Sequence, residues 1–362
     1  MNCLQDITGI ARTRDLARIF LGSRYHEPMN KVLITGVAGF LGSHIADRFI
    51  NLGWKVVGVD NLIGGYIENV PDGVVFVNAD LGNVEDYEHV FDDINLVVHA
   101  ACTAYEGLSV FSPSLVVQNT TQITANLLSL SVKHKVEKFI YLSSMARYGT
   151  QESPYLEEMQ PLPQDPYGIA KYASELLVAN ICNTHNLKYL ILVPHNIIGP
   201  RQKYDDPYRN VASIMVNRIL HDKQIVIYGD GEQKRCFSFI SDVTNPIMAA
   251  CLDDALSGEI INIGPDEEEI TINTLGQLIS QILNVEFNPI YMPGRPNEVF
   301  HATCSANKAR SLLNYQTSTE LEVGLVELVE WIKSQPRKDF SYHLPLEIVN
   351  EKTPKTWSEK LI

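Results

Sequence analysis

Six short apolar runs mark the first half of the chain, at residues 32–34, 56–59, 74–77, 96–98, 138–142 and 189–193. Between them, apolar residues recur every three or four positions, the spacing of helices with one buried face. Strands apolar on both faces that alternate with such helices build βαβ units. The pattern therefore predicts an α/β fold with a doubly wound parallel sheet. Beyond Pro194 the runs give way to loops rich in Pro, Gly, Asn and Asp, with helical stretches at 211–220, 274–283 and 321–333. This reads as a smaller α/β domain beside the sheet's carboxyl edge, where doubly wound folds place their ligands. Residues 237–263 read strand, helix, strand and are expected to return to the main sheet. The expected division is 29–193 plus about 236–263 for the first domain, and about 194–235 plus 264–336 for the second. Residues 1–28 form an extension, with Arg12, Arg14, Arg18 and Arg24 around Leu16, Ile19, Phe20 and Leu21 in the manner of a surface helix. Residues 337–362 are a tail without clear period.

The first strand–helix junction carries recognisable chemistry. Lys31 to Asp60 reads KVLITGVAGFLGSHIADRFINLGWKVVGVD, with Gly36, Gly39 and Gly42 at the turn. Glycines let the backbone bend there and approach a pyrophosphate closely, and the helix's first N–H groups, lacking intrahelical partners, face the anion. Asp60 ends the second strand, 18 residues after Gly42, where a carboxylate accepts hydrogen bonds from the adenosine ribose hydroxyls. It would repel a 2′-phosphate, which favours NAD over NADP. Glycine spacing alone is a weak signal; strand, helix and acid in this order give it weight.

Composition narrows the field. At 362 residues the chain can bury one large or two modest cores, and 45% hydrophobic with 20% charged residues is an ordinary globular balance. A net charge of -14 without any basic run argues against a nucleic-acid surface. Cys3, Cys102, Cys182, Cys236, Cys251 and Cys304 lie far apart with no C-x-x-C pair, which points to reduced thiols rather than disulfides or a metal site. No apolar run approaches the roughly 20 residues of a bilayer crossing, and no signal-peptide core is apparent. A cytoplasmic protein is the expectation.

Tyr167 and Lys171 stand one helical turn apart in Tyr-Gly-Ile-Ala-Lys, on a stretch continued by Ala173, Leu176 and Leu177. A phenol with an ordinary pKa of about 10 is a poor base at neutral pH, and a neighbouring ammonium favours its ionised form. Ser143 and Ser144 follow the run 138–142 and so fall at the cleft edge, Ser144 lying 23 residues before Tyr167, where a hydroxyl can orient or relay a proton. Each pattern alone has a plain structural reading. Together with the glycine turn they point to proton handling beside a nicotinamide.

The ordered segments TGVAGFLGSH, Asp60-Asn61-Leu62, Asn78-Ala79-Asp80-Leu81, Val98-His99-Ala100-Ala101, Asn119, SSMARYG, DPYGIAK, PHNIIGPRQ, YGDGEQKR, NIGPDEEEIT and PGRPNE carry a resemblance. Residues 30 to about 335 resemble the extended short-chain dehydrogenase/reductases, above all their UDP-galactose 4-epimerase branch. The resemblance implies a tightly bound NAD lined by Gly36, Gly39, Phe40, Leu41, Gly42, Asp60 and Asn61, with Asp80 and Leu81 at the adenine. Ala100, Ala101, Asn119, Ser143 and Pro194 would continue that groove. Tyr167 would be the base, Lys171 its partner, both touching the cofactor, and Ser144 the proton-handling hydroxyl, which also meets the substrate. Asn196 would contact the substrate diphosphate, and Asn210, Val211, Val226, Tyr228, Arg235, Arg295 and Glu298 its phosphates, base and ribose. The physics agrees, since arginine forks bind phosphate oxygens bidentately. The implied activity is inversion at C4 of a nucleotide-diphosphate sugar, a UDP-sugar first, through a transient 4-keto intermediate. The implied assembly is a homodimer with a four-helix contact of residues 114–134 and 167–184.

Departures from the family bear on the sugar. Dehydratases and decarboxylases carry an acid one or two residues after the catalytic hydroxyl, where this chain has Met145 and Ala146. Arg147 and His195 replace a small apolar and an aromatic residue and are candidates to answer a C6 carboxylate. Ala302, at the gatekeeper position, leaves room for a bulky C2 substituent. The alternatives are a reductase, a decarboxylase or a C2/C3 epimerase on the same scaffold and, more remotely, a non-catalytic NAD-binding sensor or scaffold.

Overall fold

A computed structural model describes residues 30–362; the helix expected within residues 1–28 lies outside them. Seven strands form the main sheet: β1 (Lys31–Thr35), β2 (Lys55–Asp60), β3 (Val74–Asn78), β4 (Leu96–His99), β5 (Lys138–Leu142), β6 (Lys188–Pro194) and β7 (Glu259–Ile263). They are all parallel, in the order β7-β6-β5-β4-β1-β2-β3. The order in which successive strands are added therefore reverses between β1 and β4, and the crevice outside their carboxyl ends is where this architecture binds ligands. The packed helices are α1 (Phe40–Asn51), α2 (Ile123–Lys133), α3 (Pro166–His185), α4 (Val211–Leu220), α5 (Ile240–Leu252), α6 (Ile272–Ile282) and α7 (Leu321–Ser334).

Two-sided burial explains why the inner strands read as unbroken apolar runs; on the edge strand β3, Val75 is exposed. Leu33 of β1 joins one core with Val57, Val97, Phe139 and Ile191, while its neighbours Val32 and Ile34 join another with Val56, Val98, Ile140 and Leu192. Leu127 and Leu128 of α2 and Val178 and Cys182 of α3 cover the first face. Ile45 and Phe49 of α1 and Val243 and Ile247 of α5 cover the second. Each large side chain buried this way stabilises the fold by about 1.5–3 kcal/mol. A third core, built on Met215, Val216, Leu275, Ile279, Leu325 and Val329, holds α4, α6 and α7 together.

The segment 237–263 follows its expectation only in part. Ser238–Phe239 pairs with Ile197–Ile198 in a separate two-stranded sheet, and Glu259–Ile263 alone joins the main sheet, beside β6. The outer edge of β6 is occupied by β7 as far as Pro194, so the strand that precedes α5 pairs with the chain just beyond β6. The C-terminal tail docks: Leu344, Trp357 and Ile362 are buried against Tyr105, Leu108, Phe111 and Tyr208.

Candidate active site

The glycine turn is built from close backbone approaches. Gly36 has φ +73°, and a Cβ there would lie 2.9 Å from Ala101 Cα; a Cβ on Gly42 would lie 2.2 Å from the Gly36 carbonyl oxygen. Larger residues would push α1 off β1 and β4. Gly39 caps α1 without a side chain, and no acid occupies the first turn, so nothing repels an anion from the helix N-terminus. Asp60 Oδ2 accepts from Ala38 N–H (3.0 Å) and Oδ1 from Leu62 N–H (2.7 Å). Burial pushes the Asp60 pKa up and these donors oppose the rise. A carboxylate offers about four lone-pair sites, so acceptor capacity remains for ribose hydroxyls. An open helix end followed by an acid on the neighbouring strand is the donor and acceptor set a dinucleotide needs.

At the end of β5, Ser144 Oγ accepts from Ala146 N–H (3.2 Å), which caps a short helical turn. Asp165 caps α3 by accepting from Gly168 N–H (2.8 Å), and Pro166 opens the helix, which fixes Tyr167 and Lys171 on its first turns. Both side chains are buried. Lys171 Nζ donates to the Leu142 carbonyl (2.6 Å) and lies 4.8 Å from the Tyr141 ring centroid. Burial raises the Tyr167 pKa well above its ordinary value, and a hydrogen bond with Ser144 acts against that rise. Burial works against the Lys171 charge, but Cys102 and Tyr141 beside it leave the pKa raised, so the ammonium persists. Next to them a buried pair closes the loop: Arg147 Nε lies 2.9 Å from Glu175 Oε2, and Ser143 Oγ donates to Glu175 Oε1.

One cleft gathers the cofactor and substrate positions that the family resemblance implies, from Gly36 to Glu298, whereas Ala302 is buried and does not line it. Asn61, Asp80, Leu81, Ala100, Ala101, Asn119, Ser143 and Pro194, expected at the cofactor, line it together with Asn196, Asn210, Val211, Val226, Tyr228, Arg235, Arg295 and Glu298, expected at the substrate. Two expectations need correction. Arg147 is spent on Glu175, and His195 is buried with Nε2 3.1 Å from the Pro265 carbonyl; neither lines the cleft, so neither answers a sugar carboxylate. The Arg235 guanidinium is also less free than expected: its Nη groups donate to the carbonyls of Lys234 (2.7 Å), Val299 (2.7 Å) and Phe300 (3.3 Å). Arg295 pairs with Glu298 at 2.9 Å and lies 4.8 Å from the Tyr228 ring centroid.

The cleft also contains residues the sequence did not announce. Arg209 lines it with Nε buried and unpartnered, one long contact from Nη1 to the Ala104 carbonyl (3.5 Å), and its guanidinium 5.2 Å from the Tyr105 centroid. The adjoining Asn210 Nδ2 is likewise buried and unpartnered, and Asn210 caps α4. Glu106, Cys102, Trp357 and Ile362 complete the wall. Arg209 sits in a run of charged and aromatic residues, Tyr-Asp-Asp-Pro-Tyr-Arg, that has no motif to flag it. Among the described residues no cluster of metal-ligating side chains forms, and no helix is long and apolar enough to cross a membrane.

Comparison with known proteins agrees with this architecture. A putative UDP-glucose 4-epimerase of Methanocaldococcus jannaschii is 32% identical over 311 residues, covering 84% of this chain and 99% of that relative. A UDP-N-acetyl-alpha-D-glucosaminuronate decarboxylase of Bacillus cytotoxicus is 28% identical, covering 84% of this chain and 98% of its own length. The crystal structure of Thermotoga maritima UDP-glucose 4-epimerase with UDP-glucose superimposes with a TM-score of 0.78 at 32% identity, covering 84% of this chain and 98% of that one. The sequence profile of the NAD dependent epimerase/dehydratase family matches residues 32–264, and this chain belongs to that family.

Proposed function

We propose that the protein inverts C4 of a nucleotide-diphosphate sugar, with residues 29–193 and about 236–263 holding NAD and the remaining segments up to 336 holding the sugar nucleotide. The observation that carries this reading is the convergence of Ser144, Tyr167 and Lys171 in the cleft that also contains the glycine turn, with Met145 and Ala146 where an eliminating or decarboxylating relative would place its acid. NAD, bound on the glycine turn and Asp60, supplies reversible hydride acceptance. The protein's own part is positioning and proton transfer. Tyr167 takes the proton of the sugar hydroxyl through or beside Ser144, and the positive charge of Lys171, one helical turn further along α3, favours the ionised phenol. Inversion then requires the ring to turn within the cleft between proton removal and proton return.

For the substrate diphosphate, the N-terminus of α4 with the unclaimed donors of Arg209 and Asn210 offers the best receptor. A decarboxylase is the second reading. It draws on Glu106, a carboxyl exposed in the cleft and within electrostatic reach of Arg235 and Arg295. Incubation with UDP-glucose, UDP-N-acetylglucosamine and UDP-glucuronate, read by proton NMR, tests the proposal. The 4-epimer of at least one is expected, without net NADH; CO2 and a pentose product would establish the second reading instead.

A further inference from the structure

The C-terminal tail lies beyond residues 30 to 335, which carry the family resemblance, yet it is tied to both parts of the chain and reaches the cleft at Trp357 and Ile362. On the sheet side, Ser112 Oγ donates to the Pro345 carbonyl (2.6 Å), Glu347 N–H donates to the Phe111 carbonyl (2.9 Å), and the Glu347 carboxylate accepts from Ser114 and Leu115 N–H (2.9 and 2.8 Å). On the opposite side, Tyr204 and Tyr208 hydroxyls donate to the carbonyls of Pro336 (2.6 Å) and Leu344 (3.2 Å). The last turn is pinned as well: Trp357 Nε1 donates to the Pro207 carbonyl (3.2 Å), and Tyr342 Oη donates to the Thr356 carbonyl (3.0 Å) while accepting from Ile362 N–H (3.0 Å). A segment held at so many points is part of the folded molecule.

Its end lies where substrate recognition is concentrated. Thr356 Oγ1 shares a hydrogen bond with the Tyr228 hydroxyl, the group the family resemblance would have facing the nucleotide. Trp357 is 2% exposed, yet with Ile362 it forms part of the cleft wall. Its ring edge would lie 3.2 Å from a Cβ on Gly107, and Arg295 Nη1 3.4 Å from the same point, so indole and guanidinium meet over one glycine. Gly107 has no side chain to separate them.

We infer that Thr356 and Trp357 are specificity-determining residues of the nucleotide-sugar site: the tail forms the wall of the nucleoside end, fixing Tyr228 through its hydroxyl so that the ring, backed by Arg295, faces the substrate. The inference rests on the nucleotide-sugar reading above. The hydrogen bonds named for the tail include none to Ser144, Tyr167 or Lys171, so the tail acts on ground-state binding and its loss should appear in KM rather than kcat.

The test uses the NAD-loaded full chain with Thr356→Val, which removes the hydroxyl while keeping the volume, and Trp357→Phe, which trims the wall. UDP affinity is measured by calorimetry, with NAD affinity and thermal midpoint as controls for folding. Each variant is expected to weaken UDP about tenfold and raise KM in parallel, with kcat within about twofold and NAD affinity unchanged. Discrimination of UDP over GDP should narrow in the same variants. Equal UDP affinity in the unmodified chain and both variants would overturn the inference, leaving the tail a structural brace. Absence of UDP binding by the unmodified chain would fail the nucleotide-sugar reading itself, and this inference with it.

Discussion

Tyr167 works as a base only if its buried phenol can lose a proton, and burial alone opposes that. The influence that opposes it is the hydrogen bond with the Ser144 hydroxyl, placed by local sequence at the end of β5. Tyr167→Phe should therefore reduce turnover by about 10²–10⁴-fold, the usual worth of a positioned acid–base group, while NAD affinity stays unchanged; retained turnover would remove Tyr167 from the mechanism. Arg209→Met probes the other end of the substrate. Hydrogen bonds to charged groups are worth roughly 1.5–3 kcal/mol, so KM for the sugar nucleotide should rise by about ten- to a hundredfold; an unchanged KM would mean the diphosphate is bound elsewhere. The two residues also differ in legibility. Tyr167, Lys171 and Ser144 could be read because their partners lie within a strand end and one helical turn. Arg209 could not, because it meets Ala104 and Tyr105 only after the chain has folded over a separation of about a hundred residues.

At the scale of the element, α3 explains why the catalytic pair is so firmly placed. Tyr167, Lys171, Glu175, Val178 and Cys182 recur at three- and four-residue spacing and are all buried, so the inner face of one helix is polar under the cleft and apolar under the sheet. Glu175 ties that face to the β5 loop through Ser143 and Arg147. The sequence showed Arg147 as a departure but not its partner, because nothing local marks which of several acids a buried arginine will meet. Removing one member of such a pair leaves an uncompensated buried charge. Glu175→Ala should thus cost roughly 3–5 kcal/mol in urea unfolding, whereas Arg147→Met combined with Glu175→Leu should recover most of that loss. A double variant no more stable than Glu175→Ala would show that shape, not charge, governs this contact.

At the scale of the whole molecule, the main sheet was readable because each strand is apolar on both faces, whereas the docked tail was not, since Trp357 and Leu344 find Phe111 and Tyr208 only in three dimensions. The outer faces of α3 and of the helical run 113–133 raise a further whole-molecule question. Ile169 and Leu176 are 52% and 55% exposed, and Val117 is 43% exposed on the neighbouring run. Large aliphatic side chains on two adjacent helices are poorly accounted for in a monomer, and a two-fold axis would set the same four helices face to face. A homodimer is therefore the expected state by light scattering. Ile169→Glu with Leu176→Glu should yield monomers, because burying like charges across the axis is strongly unfavourable. Those monomers should still bind NAD, since neither residue lines the cleft. A monomeric unmodified chain, or a variant that remains dimeric, would place the contact on another face.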